Sequence, residues 1–279
     1  MHNGTYRGFV EGQPGYPGAL RSVVGSGKEG IAAAHAALSS GSDLDPEEIR
    51  FLPVIPEPLK ILCVGLNYRD HAKESGFQPP AYPTIFSRFA TSLIGHDEPL
   101  IRPRVSDSLD FEGELAVIIG HGGRRIPEAR ALDHVAGYSI FNDGSVREYQ
   151  HKTPQWTLGK NFDRTGSFGP VFVTADELPA GGSGLKIETR LNGATVQSSN
   201  TADMVFGVPT LIAVISEAMT LQPGDVIVSG TPSGVGHART PRLYMKHGDV
   251  CEVEIEGLGI LRNRIEDEAA LEARSGYLQ

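Results

Sequence analysis

Apolar residues along this chain fall mostly in short runs separated by turn formers. Leu115-Ala116-Val117-Ile118-Ile119, closed by Gly120, is β-rich and predicts a strand within 109–120. KIETRL and ATVQ flank Asn192-Gly193, a pair that predicts a two-residue β-hairpin, because both turn positions take positive φ. Pro223-Gly224-Asp225 turns the chain into VIVSG, and Gly248-Asp249 turns it into VCEVEIEG, whose alternation is strand-like. Helical patterns occupy Lys28–Leu38, 127–135 and 209–219. PVIPEPL (53–59) reads as a linker, since closely spaced prolines disfavour both helix and sheet. The expected fold is a β-rich α+β one, with a small N-terminal subdomain and linker over 1–57 and the main domain over 58–279. No internal repeat, low-complexity tract or heptad interrupts this pattern.

Composition narrows the class. A chain of 279 residues is long enough for one large domain with a small appendage. A formal charge of −9 and a pI near 5.5, with no basic stripe, argue against partners such as nucleic acid or an anionic membrane. Cys63 and Cys251 lie in apolar, strand-like runs and fit buried free thiols in a reducing compartment. The opening residues carry no apolar signal core, and the longest apolar runs are far too short to span a bilayer. The expectation is a cytoplasmic protein.

The chemistry concentrates in two acidic stretches, LDFEGELAVIIG (109–120) and GYSIFNDGS (137–145). Glu112 and Glu114 are two apart on the expected strand and share a face, with roughly 6–7 Å between their Cα atoms. Two like charges beside a buried apolar strand repel and are costly to desolvate unless a cation lies between them. All-oxygen donors suit Mg2+ or Mn2+, with Ca2+ as a possible substitute, better than Zn2+. On the local pattern alone, a solvated strand edge is the more ordinary reading, since acidic residues are mostly surface residues. His71 and Glu74 in NYRDHAKESG are three residues apart and would share one face of a helical turn. Arg147 and Gln150 follow Asp143 by four and seven positions, a spacing that on a helix would align all three.

Gly25-Ser26-Gly27-Lys28-Glu29-Gly30 matches the dinucleotide pattern G-x-G-x-x-G, after LRSVV and before an alanine-rich helix. A proline-rich segment follows, however, rather than the next strand of a parallel series, so these glycines are read as a tight turn. No nucleophile elbow surrounds Ser145 or Ser233. His96, His121, His134, His151, His237 and His247 lack ligand-like spacing and are read as structural.

From about Ile61 to Arg264 the chain resembles the fumarylacetoacetate hydrolase family. The resemblance rests on ILCVGLNYRDHAKESG (61–76), PTIFSRFATSLIG (83–95), LDFEGELAVIIG, HVAGYSIFNDGSVREYQ (134–150) and WTLGKNFD (156–163). It continues through GPVFVTADEL (169–178), LNGATVQSSNTADMVF (191–206), LQPGDVIVSGTPSGVG (221–236) and HGDVCEVEIEGLGILRN (247–263). Nine stretches in the same order make chance agreement very improbable. The resemblance implies a layered β-sheet or β-roll core, with the catalytic domain at 58–279. It implies metal ligands at Glu112, Glu114 and Asp143, a catalytic His71 with Glu74, and substrate contacts at Arg147, Gln150, Lys160 and Thr231. Departures from the family pattern stand at Arg88, Glu148 and Ser229, and they bear on the identity of the substrate.

The function so implied is a divalent-metal-dependent hydrolase of aromatic catabolism, acting as a homodimer on a small anionic 2-oxo acid. It would cleave a carbon–carbon bond in a 2,4-dioxo acid such as an acylpyruvate, through a metal-stabilised pyruvate-type enolate, with His71 activating water. The same enolate would serve an isomerase of 2-hydroxyhepta-2,4-diene-1,7-dioate-like diacids or an oxaloacetate decarboxylase. Three carboxylates and one divalent ion leave the site at about −1, which Lys160 and Arg147 would turn attractive to an acid.

Overall fold

The structure is a computed structural model that describes residues 6–74, 76, 78 and 80–270. The chain opens with strand β1 (Tyr6–Gly8), helices α1 (Leu20–Gly25) and α2 (Gly27–Ser39), and β2 (Ser42–Leu44), which pairs with β1. Next come β3 (Ile61–Gly65), α3 (Arg69–Glu74), β4 (Thr84–Arg88), β5 (Leu93–Ile94), β6 (Leu100–Arg102), β7 (Leu109–Asp110) and β8 (Gly113–Ile119). The middle of the chain holds β9 (Val135–Asp143), β10 (Ser145–Val146), α4 (Arg147–Gln150), α5 (Thr157–Lys160) and β11 (Gly166–Thr174). The remainder holds β12 (Lys186–Leu191), β13 (Ala194–Asn200), α6 (Val208–Ala218), β14 (Val226–Val228), β15 (Val250–Ile255) and β16 (Gly259–Asp267).

Two sheets carry the fold. A seven-stranded mixed sheet runs β4-β3-β14-β8-β9-β11-β5, and a five-stranded one runs β13-β12-β15-β16-β6. The β-rich α+β class expected from the sequence is the one observed. Strand β8 lies at the middle of the larger sheet and is buried along its whole length, as is β9 beside it. Its alternate residues serve two cores. Leu115, Val117 and Ile119 pack with α6 and the second sheet, while Ala116 and Ile118 pack with β14, Phe141 and Phe168. Burying each such side chain stabilises the fold by about 1.5–3 kcal/mol. Glu112 and Glu114 share the parity of Ala116 and Ile118, so the period of two carries two acids onto the face of a buried sheet.

The expected hairpin is present: β12 and β13 pair antiparallel around Asn192 (φ 52°) and Gly193 (φ 79°). The helix expected at 209–219 is α6, and that at 28–38 is α2. One reading needs correction and two are refined. Residues 127–135 form a 3-10 helix at Glu128–His134 rather than an α-helix. The segment 53–59 has no regular structure, yet it is docked: Ile55 is buried against the sheet and Val54 N donates to Phe168 O at 3.3 Å. LRSVV is helix α1, so the glycine pattern at 25–30 follows no strand; Gly27 (φ 69°) merely breaks α1 from α2. Cys63 and Cys251 are buried and free, as expected. No helix among the described residues is long and apolar enough to cross a membrane.

Candidate active site

The sheet register assembles the acidic cluster. Gly113 on β8 pairs with Asn142 on β9, and Asp143 N donates to Glu112 O at 2.9 Å. Glu112 sits just before β8, Glu114 within it, and Asp143 closes β9. One carboxylate oxygen from each lies within 4.8 Å of the others, and all three side chains are buried. Opposite donors in the coordination shell of a hard ion are roughly 4–5 Å apart, so the three can share one cation with little adjustment.

Three cations already grip these carboxylates. Lys160 Nζ lies 2.6 Å from Glu112 Oε2 and 2.6 Å from Asp143 Oδ2, and 5.0 Å above the centre of the Phe86 ring. Arg88 Nη1 bonds Asp143 Oδ1 at 2.5 Å. Arg147 Nη2 is 2.7 Å from Glu112 Oε1, while its Nε donates to Asp110 Oδ2 and its Nη1 to Gln150 Oε1, both at 2.8 Å. Glu114 has no such partner; its Oε2 accepts a 2.5 Å bond from Gly230 N. The two glutamates therefore titrate in opposite directions. Burial alone would raise Glu112, but the Arg147 and Lys160 charges outweigh it and hold the carboxyl down to about 2. Burial, then the charges of Asp143 and Glu112, push Glu114 well above its ordinary range. Two carboxylates held by fixed cations beside a third whose buried charge is disfavoured form a donor set that a cation would complete.

Around this floor lies a cavity of about 390 Å³, a size suited to a small ligand. His71, Glu74, Glu112, Glu114, Arg147, Gln150, Lys160 and Thr231 all line it, so the residues proposed from the sequence converge on one space. Asp143 lies behind them under Lys160 and Arg88. His71 and Glu74 share a face of α3, with Nδ1 and Oε1 2.9 Å apart. Both Glu74 oxygens accept from Gly234 N at 2.9 Å, which fixes the carboxylate behind the imidazole. Thr231 Oγ1 donates to Gly113 O and accepts from Gln197 Nε2, each at 2.9 Å.

The structure also revises the reading of this site. Arg147 does not align with Asp143 on a helix: Asp143 ends a strand, and Arg147 opens the separate helix α4, reaching the floor from there. The charge balance changes too, because Arg88 and Asp110 enter. Counted as fully ionised, four carboxylates against three cations leave one negative charge, which the proton favoured on Glu114 cancels; a divalent ion displacing that proton would leave one positive charge. Sequence reasoning missed Asp110, although its place two before Glu112 repeats the strand period that flagged the glutamates. Nothing local marks Arg88. His151 and His237 were read as structural, yet both line the cavity, stacked with ring centres 5.2 Å apart. Burial, then Arg147, Arg242 and His151, push His237 down to about 4; burial, then Arg147 and Lys160, lower His151.

A buried anionic floor that could hold a metal, fixed cations and a histidine–carboxylate pair, all facing one cavity, define an enzyme site for small acids rather than a structural ion clamp. The family model described as Fumarylacetoacetate (FAA) hydrolase C-terminal matches residues 60–266. The chain belongs to that family, whose members are hydrolases, isomerases and tautomerases. It is 40% identical over 254 residues to the mitochondrial oxaloacetate tautomerase Fahd2a of Rattus norvegicus, covering 90% of this chain and 81% of that protein. Fumarylacetoacetate hydrolase from Exiguobacterium antarcticum superposes with a TM-score of 0.75 at 39% identity, covering 83% of each chain. The 5-carboxymethyl-2-hydroxymuconate delta-isomerase from Mycobacterium smegmatis gives a TM-score of 0.72 at 35% identity, covering 82% of this chain and 86% of that one.

Proposed function

We propose that this chain is a divalent-metal-dependent hydrolase that cleaves a carbon–carbon bond in a 2,4-dioxo acid, with Glu112, Glu114 and Asp143 as the metal ligands. The observation that carries this reading is the His71–Glu74 pair facing the same cavity as the three carboxylates. Bound Mg2+ or Mn2+ supplies Lewis-acid stabilisation of the negative charge that develops at the 2-oxo oxygen. Glu74, held by Gly234 N–H, accepts a hydrogen bond from His71 Nδ1–H, which keeps that proton on Nδ1 and leaves Nε2 as the basic nitrogen. His71 Nε2 takes a proton from water as that water attacks the distal carbonyl. The carbon–carbon bond of the tetrahedral adduct then breaks, giving the acid and a pyruvate-type enolate, whose C3 takes the proton held on His71 Nε2 and so restores the base. Lys160 and Thr231 orient the acid end of the substrate, and Arg147 with Gln150 forms the adjoining wall.

A second reading, keto–enol tautomerisation of a 2-oxo diacid, is favoured by the name of the rat relative. It uses the same base on a carbon-bound proton and needs no water. Assaying acetylpyruvate and oxaloacetate side by side with Mg2+ separates the two. Hydrolysis predicts acetate and pyruvate in equal amounts; enol turnover of oxaloacetate without any cleavage of acylpyruvates would transfer the assignment to the tautomerase. A cytoplasmic homodimer belongs to the same proposal, supported for the compartment by two buried free thiols.

A further inference from the structure

The floor has few donors left for a second acid group. Arg147 donates from Nε to Asp110 and from Nη1 to Gln150, and its Nη2 is ion-paired with Glu112 at 2.7 Å without a well-aligned hydrogen bond. Lys160 spans two carboxylates, and Arg88 is divided among Asp143, Gly144 O, Ser92 and Thr165. Besides the base nitrogen of His71 and the Gln150 amide, the cavity wall offers the imidazoles of His151 and His237. His237 Nδ1 lies 2.8 Å from Tyr244 Oη, and with the phenol donating there the neutral ring carries its proton on Nε2. The ring of His151 makes no hydrogen bond to any described residue.

The pair is held in place from the floor. Asp110, buried, accepts Gly236 N at 2.8 Å and His237 N at 2.9 Å besides Arg147 Nε. His151 follows α4, and its backbone N–H donates to Arg147 O at 3.1 Å. One carboxylate thus sets both the guanidinium against Glu112 and the loop that carries His237. Across the cavity the wall is apolar, formed by Val64, Leu66, Phe86 and Trp156. The rings therefore offer polar nitrogens in a space otherwise suited to a carbon chain, within the positive field of Arg147 and Arg242.

We infer that His151 and His237 receive the distal carboxylate of a 2-oxo dicarboxylic acid whose 2-oxo acid end occupies the floor. The inference deepens the proposed function and rests on it. An uncharged chain end would cover the ring nitrogens without bonding them, whereas a carboxylate accepts from them and offsets the surrounding cations. His151 and His237 thereby select diacids over monoacids and take no part in bond making.

The test uses matched ligands with Mg2+ and the full chain: oxalate for the floor alone, 2-oxoglutarate against 2-oxopentanoate, and 2-oxoadipate against 2-oxohexanoate. Calorimetric Kd values should favour one diacid over its equal-length monoacid by roughly tenfold or more. H151A/H237A should bring that ratio to about 1 while changing the oxalate Kd by less than about threefold, and H237Q, which keeps a donor, should retain part of the preference. Thermal unfolding of each variant confirms that the fold is kept. Tight Mg2+-dependent oxalate binding without diacid preference, or a preference that survives the double variant, overturns the subsite alone. Failure of oxalate to bind overturns the floor as a 2-oxo acid site, and the subsite with it.

Discussion

Glu112, Glu114 and Asp143 stand on or beside two hydrogen-bonded strands at the centre of a sheet, whereas the groups facing them ride on short connections. His71 and Glu74 belong to a six-residue helix, His151 to the end of a four-residue helix, and His237 to a single 3-10 turn. The difference shows in exposure. Asp143 is 0% and Glu114 2% exposed, while the side chain of Glu74 is 23% exposed and His151 is exposed; of the rim, His71 alone is buried as deeply as the floor. The floor is built like a core, with each charge answered by another charge or a backbone donor. The rim is built like a set of brackets, each pinned at one or two points. Charge is arranged permanently below and chemistry is positioned above.

The largest effect should come from separating the two glutamates. Glu114→Gln keeps the buried volume and breaks no ion pair, so it should leave unfolding unchanged to within about 1 kcal/mol while removing Mg2+ binding and Mg2+-dependent turnover. Asp143→Ala strips Arg88 and Lys160 of a partner and should lower stability by about 3–5 kcal/mol as well. Equal stability losses in the two variants would contradict the picture of a pre-paired floor. His71→Ala probes the rim. Hydrolysis should fall by roughly 10²–10⁴-fold with the Mg2+ Kd unchanged, and any oxaloacetate decarboxylation should fall less. A parallel fall in both activities would remove His71 from the role of water-activating base.

The smallest effect is a pH dependence confined to the floor. Burial and the neighbouring anions raise the folded-state pKa of Glu114, so the metal-free fold holds a proton that the unfolded chain releases near its ordinary carboxylate pKa. Above that pH the native state binds more protons than the unfolded one, and metal-free stability declines as pH rises through the raised pKa. A divalent ion needs the ionised form, so binding expels the proton. The Mg2+ affinity should strengthen by up to about tenfold per pH unit below the raised pKa. The gain in Tm on adding Mg2+ should grow between pH 5 and pH 8. Calorimetry in two buffers of different ionisation enthalpy reads the released proton directly; a flat profile with no proton release would show that Glu114 is already ionised.

The same contrast explains what could be read from the chain. Glu112 and Glu114 were legible because a strand repeats every two residues, and His71 with Glu74 because a helical turn brings residues three apart together. Asn192-Gly193 was legible because the turn demands positive φ at two successive positions. Arg88 was noticed only as a departure from a family pattern. Its contact with Asp143 spans 55 residues, and no periodicity in the chain encodes it. The helical interval drawn from Asp143 to Arg147 failed for a related reason: Gly144 and β10 intervene, and the guanidinium is aimed by Asp110, 37 residues back. His151 and His237 read as structural histidines because 86 positions separate two rings that only the fold stacks, as their numbering shows.

Lys160 has one more consequence. An ammonium already resting between Glu112 and Asp143 is an internal counter-ion, so stripping the site with a chelator does not leave bare anions pressed together. On the proposed metal assignment, emptying and refilling are expected to be reversible operations on a folded protein, as a stripped and reloaded sample with the same Tm as the untreated one would show.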